Sequence, residues 1–181
     1  MGYVIMENSR VSIRPYGKDD LWLMEKTLGD PTQMIYLNGS ESEERIRRRH
    51  HKRITMSANP QTGCQYTILT GANNDPAGNI GYWESEWKGQ KGWEMGWFVL
   101  PEFQGHGIAT AASRQVIQLL IKRKNYTFIF ATPSVDNQPS NAICRKLGFT
   151  LTGEDTIEYP SGSGRLLKIN CWTLTLPTEE I

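Results

Sequence analysis

The segment that most restricts this chain runs from Phe98 to Ala109. Phe98-Val99-Leu100 reads as the end of a strand, Pro101-Glu102-Phe103 as a break, and Gln104-Gly105-His106-Gly107-Ile108-Ala109 as a glycine turn that opens a helix. A strand that hands over so directly to a helix lays that helix back against its own sheet, which selects layered α/β architectures. The junction also has chemical content. Amides at a helix start have no intrahelical acceptor and carry partial positive charge, and glycines let a ligand approach the backbone closely. A pyrophosphate would satisfy several of those donors together. The plain alternative is that Gly105 and Gly107 only make a turn, and the glycine pair alone does not choose between the two. Neither a Gly-x-x-x-x-Gly-Lys nucleotide loop nor a Gly-x-Gly-x-x-Gly dinucleotide turn is present.

The surrounding pattern fills in the architecture. Val11-Ser12-Ile13-Arg14 alternates like a short strand, and Asp19-Asp20 precede Leu21, Met24 and Leu28 as acidic residues precede a helix. That helix should fail over 29–31. Ser40 and Glu43 have capping-box spacing and predict a charged helix of about a dozen residues reaching toward Met56. Strand-like runs over 65–69, 77–87 and 93–100, joined by short turns, predict an antiparallel meander. Ile108, Ala111, Ala112, Val116, Leu119 and Leu120 recur at helical spacing, and Lys122, Arg123 and Lys124 suit that helix's C-terminus. A strand over 128–131, a short helix over 139–147 closed by Gly148, and strands over 149–152 and 166–176 complete the chain. Loops are expected at 58–63, 71–78, 87–92 and 159–164. The fold class is α/β of the α+β type, a mixed, mostly antiparallel sheet flanked by helices.

At 181 residues the chain fits one domain, 1–181. Charged residues make up 22% and balance to +1, so no overall field points to nucleic acid. Residues 1–14 lack the apolar run of a signal peptide or membrane span, and a cytoplasmic protein with no membrane partner is expected. Cys64, Cys144 and Cys171 are odd in number, far apart and in no ligand spacing, so reduced thiols are expected, with neither a disulfide framework nor a metal site.

Gln104-x-x-Gly107-x-Ala109, placed between a strand and a helix, resembles the Gln/Arg-x-x-Gly-x-Gly/Ala signature of the GNAT superfamily of N-acetyltransferases. Three further segments resemble its Rim-type branch, whose founding members acetylate ribosomal-protein N-termini. They are Arg10-Val11-Ser12-Ile13-Arg14-Pro15, then Glu94-Met95-Gly96-Trp97 with Pro101-Glu102, then Asp136-Asn137, Ser140 and Lys146-Leu147-Gly148-Phe149. The resemblance implies acetyl-CoA as cosubstrate, no metal, and an amine acceptor such as a peptide N-terminus, a polyamine or another small amine. It leaves a homodimer open.

Roles follow residue by residue. The resemblance implies that the backbone of Phe98, Val99 and Leu100 pairs with the pantetheine arm as a missing strand would. It also implies that amides of Gly105, His106, Gly107, Ile108, Ala109 and Thr110 hold the pyrophosphate, with Gln104 shaping the first turn. His106 is equally readable as an exposed loop residue. Acetyl transfer needs a neutral amine, an oxyanion donor and an acid for the departing thiolate. A lysine-like amine has a pKa near ~10, so a base must take its proton. Glu94, mid-strand between Trp93 and Met95, is the candidate base, against the reading of a solvent-facing carboxylate. A GNAT tyrosine acid is replaced here by Cys144, so Ser140 is assigned the proton-donor or sulfur-contact role, with a helix N-cap as its alternative. Asn137 is implied to bond the cosubstrate's amide arm or the acceptor, or else it forms an Asx-turn.

Other classes are weighed on the same residues. A catalytically silent CoA-binding module is opposed by the presence of Glu94 and Ser140. Cys144 as a nucleophile lacks a histidine in triad order, and a helical cysteine is usually core. The run from Arg45 to Arg53 could meet phosphates, but Glu41, Glu43 and Glu44 before it make a solvated helix face the better reading. Trp83, Trp87, Trp93 and Trp97 read as sheet packing, with some available to wall an acceptor pocket.

Overall fold

A computed structural model describes residues 11–177; Arg10 and the rest of the N-terminal stretch lie outside them. The chain starts with β1 (Ser12–Pro15). Then come α1 (Leu21–Leu28) and α2 (Glu43–Ala58), followed by the meander β2 (Gly63–Thr70), β3 (Asp75–Trp87) and β4 (Gln90–Val99). A 3-10 turn over Pro101–Phe103 leads into α3 (Ile108–Arg123). The remainder is β5 (Phe128–Ala131), α4 (Gln138–Lys146), β6 (Thr150–Glu158) and β7 (Leu166–Thr175).

The seven strands form one sheet in the order β1-β2-β3-β4-β5-β7-β6. Every neighbouring pair is antiparallel except β4 with β5. The expected loop after Trp87 is tighter than its composition suggests: Lys88 and Gly89 have φ of 48° and 79°, and Trp87 pairs directly with Gln90. A two-residue turn with both central φ positive matches the twist of the strands it joins.

Alternation along β4 divides the molecule into two layers. Trp93, Met95 and Val99 point into a core built with Ile108, Ala112, Val116 and Leu120 of α3 and Cys144 of α4. Phe98 points the other way, onto a second core of Tyr16, Met24, Leu28, Met34 and Ile46 beneath α1 and α2. The helices thus cover opposite faces, as period-2 side chains on a central strand require.

Several expected boundaries shift: β2, β3 and β4 begin two to three residues earlier than expected, β3 inside the loop expected at 71–78, and two further differences have a plain cause. The cap of α2 is Ser42, whose hydroxyl accepts from the Arg45 amide at 3.4 Å, so the Ser40-to-Glu43 spacing is coincidental. The closing strand expected over 149–152 runs on to Glu158. Its sequence, Thr-Leu-Thr-Gly-Glu-Asp-Thr-Ile-Glu, has no apolar alternation because β6 is an exposed edge, held by its ladder with β7.

The start of α1 is pinned to the sheet by polar groups. Burial by itself would raise the Asp20 carboxyl, but two hydrogen bonds from the Arg14 guanidinium, at 2.7 and 2.8 Å, and one from the Gly17 amide hold it below the usual range. Tyr16 OH lies 2.7 Å from His50 Nδ1, which joins this corner to α2. Burial, with His51 alongside, keeps the His50 imidazole below its ordinary 6.5. The unfolded chain therefore takes up the proton first, and stability falls as pH drops through the unfolded value. Lowering the pH from about 7.5 to about 5.5 should reduce Tm in the wild type and reduce it less in His50→Gln. Equal losses in both proteins would remove His50 as the responsible group.

Candidate functional site

The parallel pair β4 and β5 is joined at only two positions, Trp93 with Ile129 and Glu94 with Phe130. Beyond Glu94 the strands part, and among the described residues no strand pairs with the β5-side edge of 95–99. Backbone donors and acceptors along 95–99 are thereby left without a strand partner on that side, the Val99 carbonyl alone being taken by the Gln104 side chain among the described residues, an arrangement an extended ligand can complete.

Glu94 stands at the last paired position, half-buried. Its cross-strand partner Trp83 donates Nε1-H to Oε2 at 3.1 Å, and Thr132, just past β5, donates its hydroxyl to Oε1 at 2.6 Å. Both carboxylate oxygens are thus oriented by neighbours from different segments, β3 and the chain just past β5. Two residues on, Gly96 leaves room for the Trp83 ring, since a Cβ there would come within 3.2 Å of Trp83 Cη2.

At the far end of the open edge the chain turns through the glycine loop. Gly105 and Gly107 have φ of 78° and 76°, a region open to glycine and strained for other residues. Gly107 is the N-cap of α3, and the first helical bond runs from the Ala111 amide to the Gly107 carbonyl at 3.0 Å. The amides of Ile108, Ala109 and Thr110 consequently have no helical acceptor. Ile108 and Ala109 are buried and anchor the turn, whereas Gly105, His106 and Gly107 are exposed. Gln104 donates through Nε2 to the Val99 carbonyl at 2.9 Å and reaches Gln33 Oε1 at 3.3 Å, which ties the loop to both the strand end and the segment after α1. Leu100 is buried, and its amide bonds the Ala77 carbonyl at 2.8 Å.

On the other side of the splay, Asn137 caps α4, its Oδ1 accepting from the Ser140 amide at 3.1 Å. The capping alternative for Ser140 therefore belongs to Asn137, which leaves the half-buried Ser140 hydroxyl without a protein partner among the described residues. Sequence reasoning missed the residue that holds this helix in place. Asn141, buried, donates to the carbonyls of Ser134 at 3.0 Å and Asn137 at 2.8 Å, and accepts from Asn170 at 2.9 Å and Trp172 Nε1 at 2.8 Å. No spacing rule could pair it with β7, 29 and 31 residues away. Thr132 and Trp83 escaped as Glu94's partners for the same reason. Cys144 faces the core, fully buried, and burial pushes its thiol up to about 12, which opposes nucleophilic chemistry.

The basic helix is only partly a solvated face. Arg47 and Arg48 pair outward with Glu43 and Glu44, but Arg45, Arg49 and Arg53 turn toward the α1/α2 core side. A separate cleft of about 530 Å³, lined by Trp87, Gln90, Phe128, Thr150 and Thr173, opens at the amino end of β4, away from the glycine loop.

The acetyltransferase (GNAT) domain model matches residues 10–150, which carry the splay, Glu94, the glycine loop and Ser140. The chain belongs to the GNAT acetyltransferase domain family. Over 65 residues it is 31% identical to the uncharacterized N-acetyltransferase YnaD of Bacillus subtilis, a match spanning 36% of this chain and 38% of that relative. Among solved structures, it is similar to the acetyl transferase of Salmonella typhimurium that modifies the N-terminal serine of ribosomal protein L7/L12. That likeness has a TM-score of 0.75 and 20% identity over 92% of this chain and 95% of the other. Spermidine N-acetyltransferase from Vibrio cholerae, solved with CoA and spermine, superposes with a TM-score of 0.71 at 17% identity over 91% and 95% of the two chains. The overall fold is therefore shared with chains of very different sequence.

Asn141→Ala should cost about 2 to 4 kcal/mol in denaturant unfolding, because it leaves the Trp172 indole N-H buried without an acceptor. A loss under about 0.5 kcal/mol would mean that α4 is held by packing alone.

Proposed function

We propose that this GNAT protein is a single-domain, cytoplasmic N-acetyltransferase that moves the acetyl group of acetyl-CoA to a primary amine by direct attack in a ternary complex. The observation that carries this reading is the open edge of β4, which runs from Glu94 at one end to the unpaired amides of the glycine loop at the other. A long ligand with amide groups along its length and phosphates at its end fits that row of donors and acceptors. Backbone of Phe98 and Val99 would hold the arm, and the amides of Gly105 to Thr110 the pyrophosphate, whereas Leu100, expected beside them, already donates its amide to the Ala77 carbonyl and accepts from the Phe103 amide. The exposed His106 would flank it and Asn137 would face the arm. The three cysteines, all buried and unpaired, suit a reducing compartment.

Glu94 acts as base, directly or through ordered water, on the proton the amine must lose as its nitrogen attacks the thioester carbon. The hydrogen bonds from Trp83 and Thr132 keep the carboxylate aimed while leaving it lone pairs for that proton. As the carbon–sulfur bond breaks, Ser140 supplies or relays a proton to the departing thiolate. Its hydroxyl suits the role because the backbone amide, and not the side chain, takes the Asn137 cap.

In Glu94→Gln the side-chain oxygen can still accept from Trp83 and the amide can donate to Thr132, so the site keeps its shape. Turnover, followed as free thiol released from acetyl-CoA with an amine panel, should fall about 10² to 10³-fold while acetyl-CoA affinity stays within about twofold. Unchanged turnover would remove Glu94 as base. Gly107→Trp should weaken acetyl-CoA binding in calorimetry by at least about tenfold, because it strains a backbone at positive φ and crowds the amide cradle. Native affinity in that variant would overturn the cradle assignment.

A further inference from the structure

We propose that Arg53, backed by Arg49, forms a carboxylate subsite for the acceptor, so that the amine acetylated belongs to a peptide bearing an acidic group within its first few residues. The inference rests on the acetyl-transfer reading and deepens it.

Glu41, Arg45, Arg49 and Arg53 follow one another at four-residue spacing and so lie on one stripe of α2 and its approach. Glu41 is fully enclosed and engages Arg49 at 2.9 Å and Arg45 at 3.8 Å. Arg49 also lies over the Tyr159 ring, 5.6 Å from its centre, and donates to the Tyr159 hydroxyl at 3.3 Å. Two guanidiniums therefore share a single carboxylate. Arg53, the third on the stripe, pairs with no carboxylate among the described residues: it donates to the neutral Asn79 Oδ1 at 3.1 Å and sits 5.8 Å from the Tyr16 ring centre. Burial lowers its pKa to about 10, where it remains a cation near neutrality.

Arg53 is half-buried, and a guanidinium held in place on the α2 stripe beside a neutral amide, with solvent still at hand, is poised to take an anion. The Asn79 amide nitrogen beside it is buried and has no acceptor among the described residues. An unsatisfied donor next to a guanidinium without a carboxylate points to an anion in the bound state.

Position relative to Glu94 decides what that anion belongs to. Asn79 is the cross-strand partner of Phe98, and Phe98 follows Glu94 by four residues on the same face of β4. Four residues of strand span about 13 Å, the reach of a short extended peptide. The phosphates of the cosubstrate have their own donors in the amides at the start of α3, across the sheet from α2. A bare polyamine would gain nothing from uncompensated arginine, whereas a peptide with an aspartate or glutamate near its amine would meet both ends of the site.

The test uses tetrapeptide amides with a free N-terminus that differ in one residue, aspartate, asparagine or lysine, placed second, third or fourth. With acetyl-CoA, the aspartate peptide at its best position should exceed the asparagine peptide in kcat/KM by at least about tenfold, and the lysine peptide should be poorest. Arg53→Gln should bring the aspartate-to-asparagine ratio to near one, and Arg53→Lys should restore part of it, with Tm reporting that both variants fold. Equal use of the three peptides by the wild type, or an unchanged ratio in Arg53→Gln, overturns the subsite. So does an acetyl-CoA affinity that falls with the Arg53→Gln substitution, since Arg53 would then serve the cosubstrate. If no amine is acetylated, the transfer reading fails by itself. Calorimetry of the aspartate and asparagine peptides on CoA-loaded protein then judges the subsite alone, with tighter aspartate binding supporting it and equal binding ending it.

Discussion

The parting of β4 from β5 after Glu94 is the constraint on which the site depends. Parallel strands that stayed in register would satisfy each other's backbone and leave nothing to bind. Here only two positions pair, and the sheet is held together on either side of the gap by longer ladders, β3 with β4 and β5 with β7. The gap persists because side chains fill the space around it. Tyr82 and Tyr126 meet the Trp93 ring edge-on at the closed end, and α3 packs beneath the open one.

That geometry places different chemistry on the two layers. The α3 and α4 face supplies the amide-rich turn and the Ser140 hydroxyl, both presented by helix starts. The α1 and α2 face supplies Glu94, Trp83 and the arginine stripe, all presented by side chains. Backbone donors suit a ligand whose position must be the same every time, while side chains are free to differ with the acceptor. In the proposed site the cosubstrate end is thus carried by turn geometry that the sequence shows, and the acceptor end by side chains that only the folded chain brings together.

The local architecture was largely readable. The strand over 128–131 and the helix opening at Ile108 fall where the pattern puts them, because apolar periodicity and glycine conformations are properties of neighbouring residues. What went astray was equally physical. Ser40 and Ser42 offer nearly the same capping chemistry, and only the path of the chain after Gly39 selects the second. An edge strand such as β6 has no buried face to imprint an alternation, so its extent depends on its ladder with β7.

The sequence by itself determined that a glycine turn joins a strand to a helix, that Glu94 lies mid-strand and that Ser140 follows Asp136-Asn137 by one turn, since these are matters of spacing along the chain. Tertiary structure alone decided that Trp83 and Thr132 orient Glu94, that Asn141 locks α4 to β7, and that Arg53 comes to rest beside Asn79 with no carboxylate paired to it among the described residues. Those contacts join residues between 11 and 38 positions apart on different elements, and their geometry exists only once the two layers have closed on the sheet.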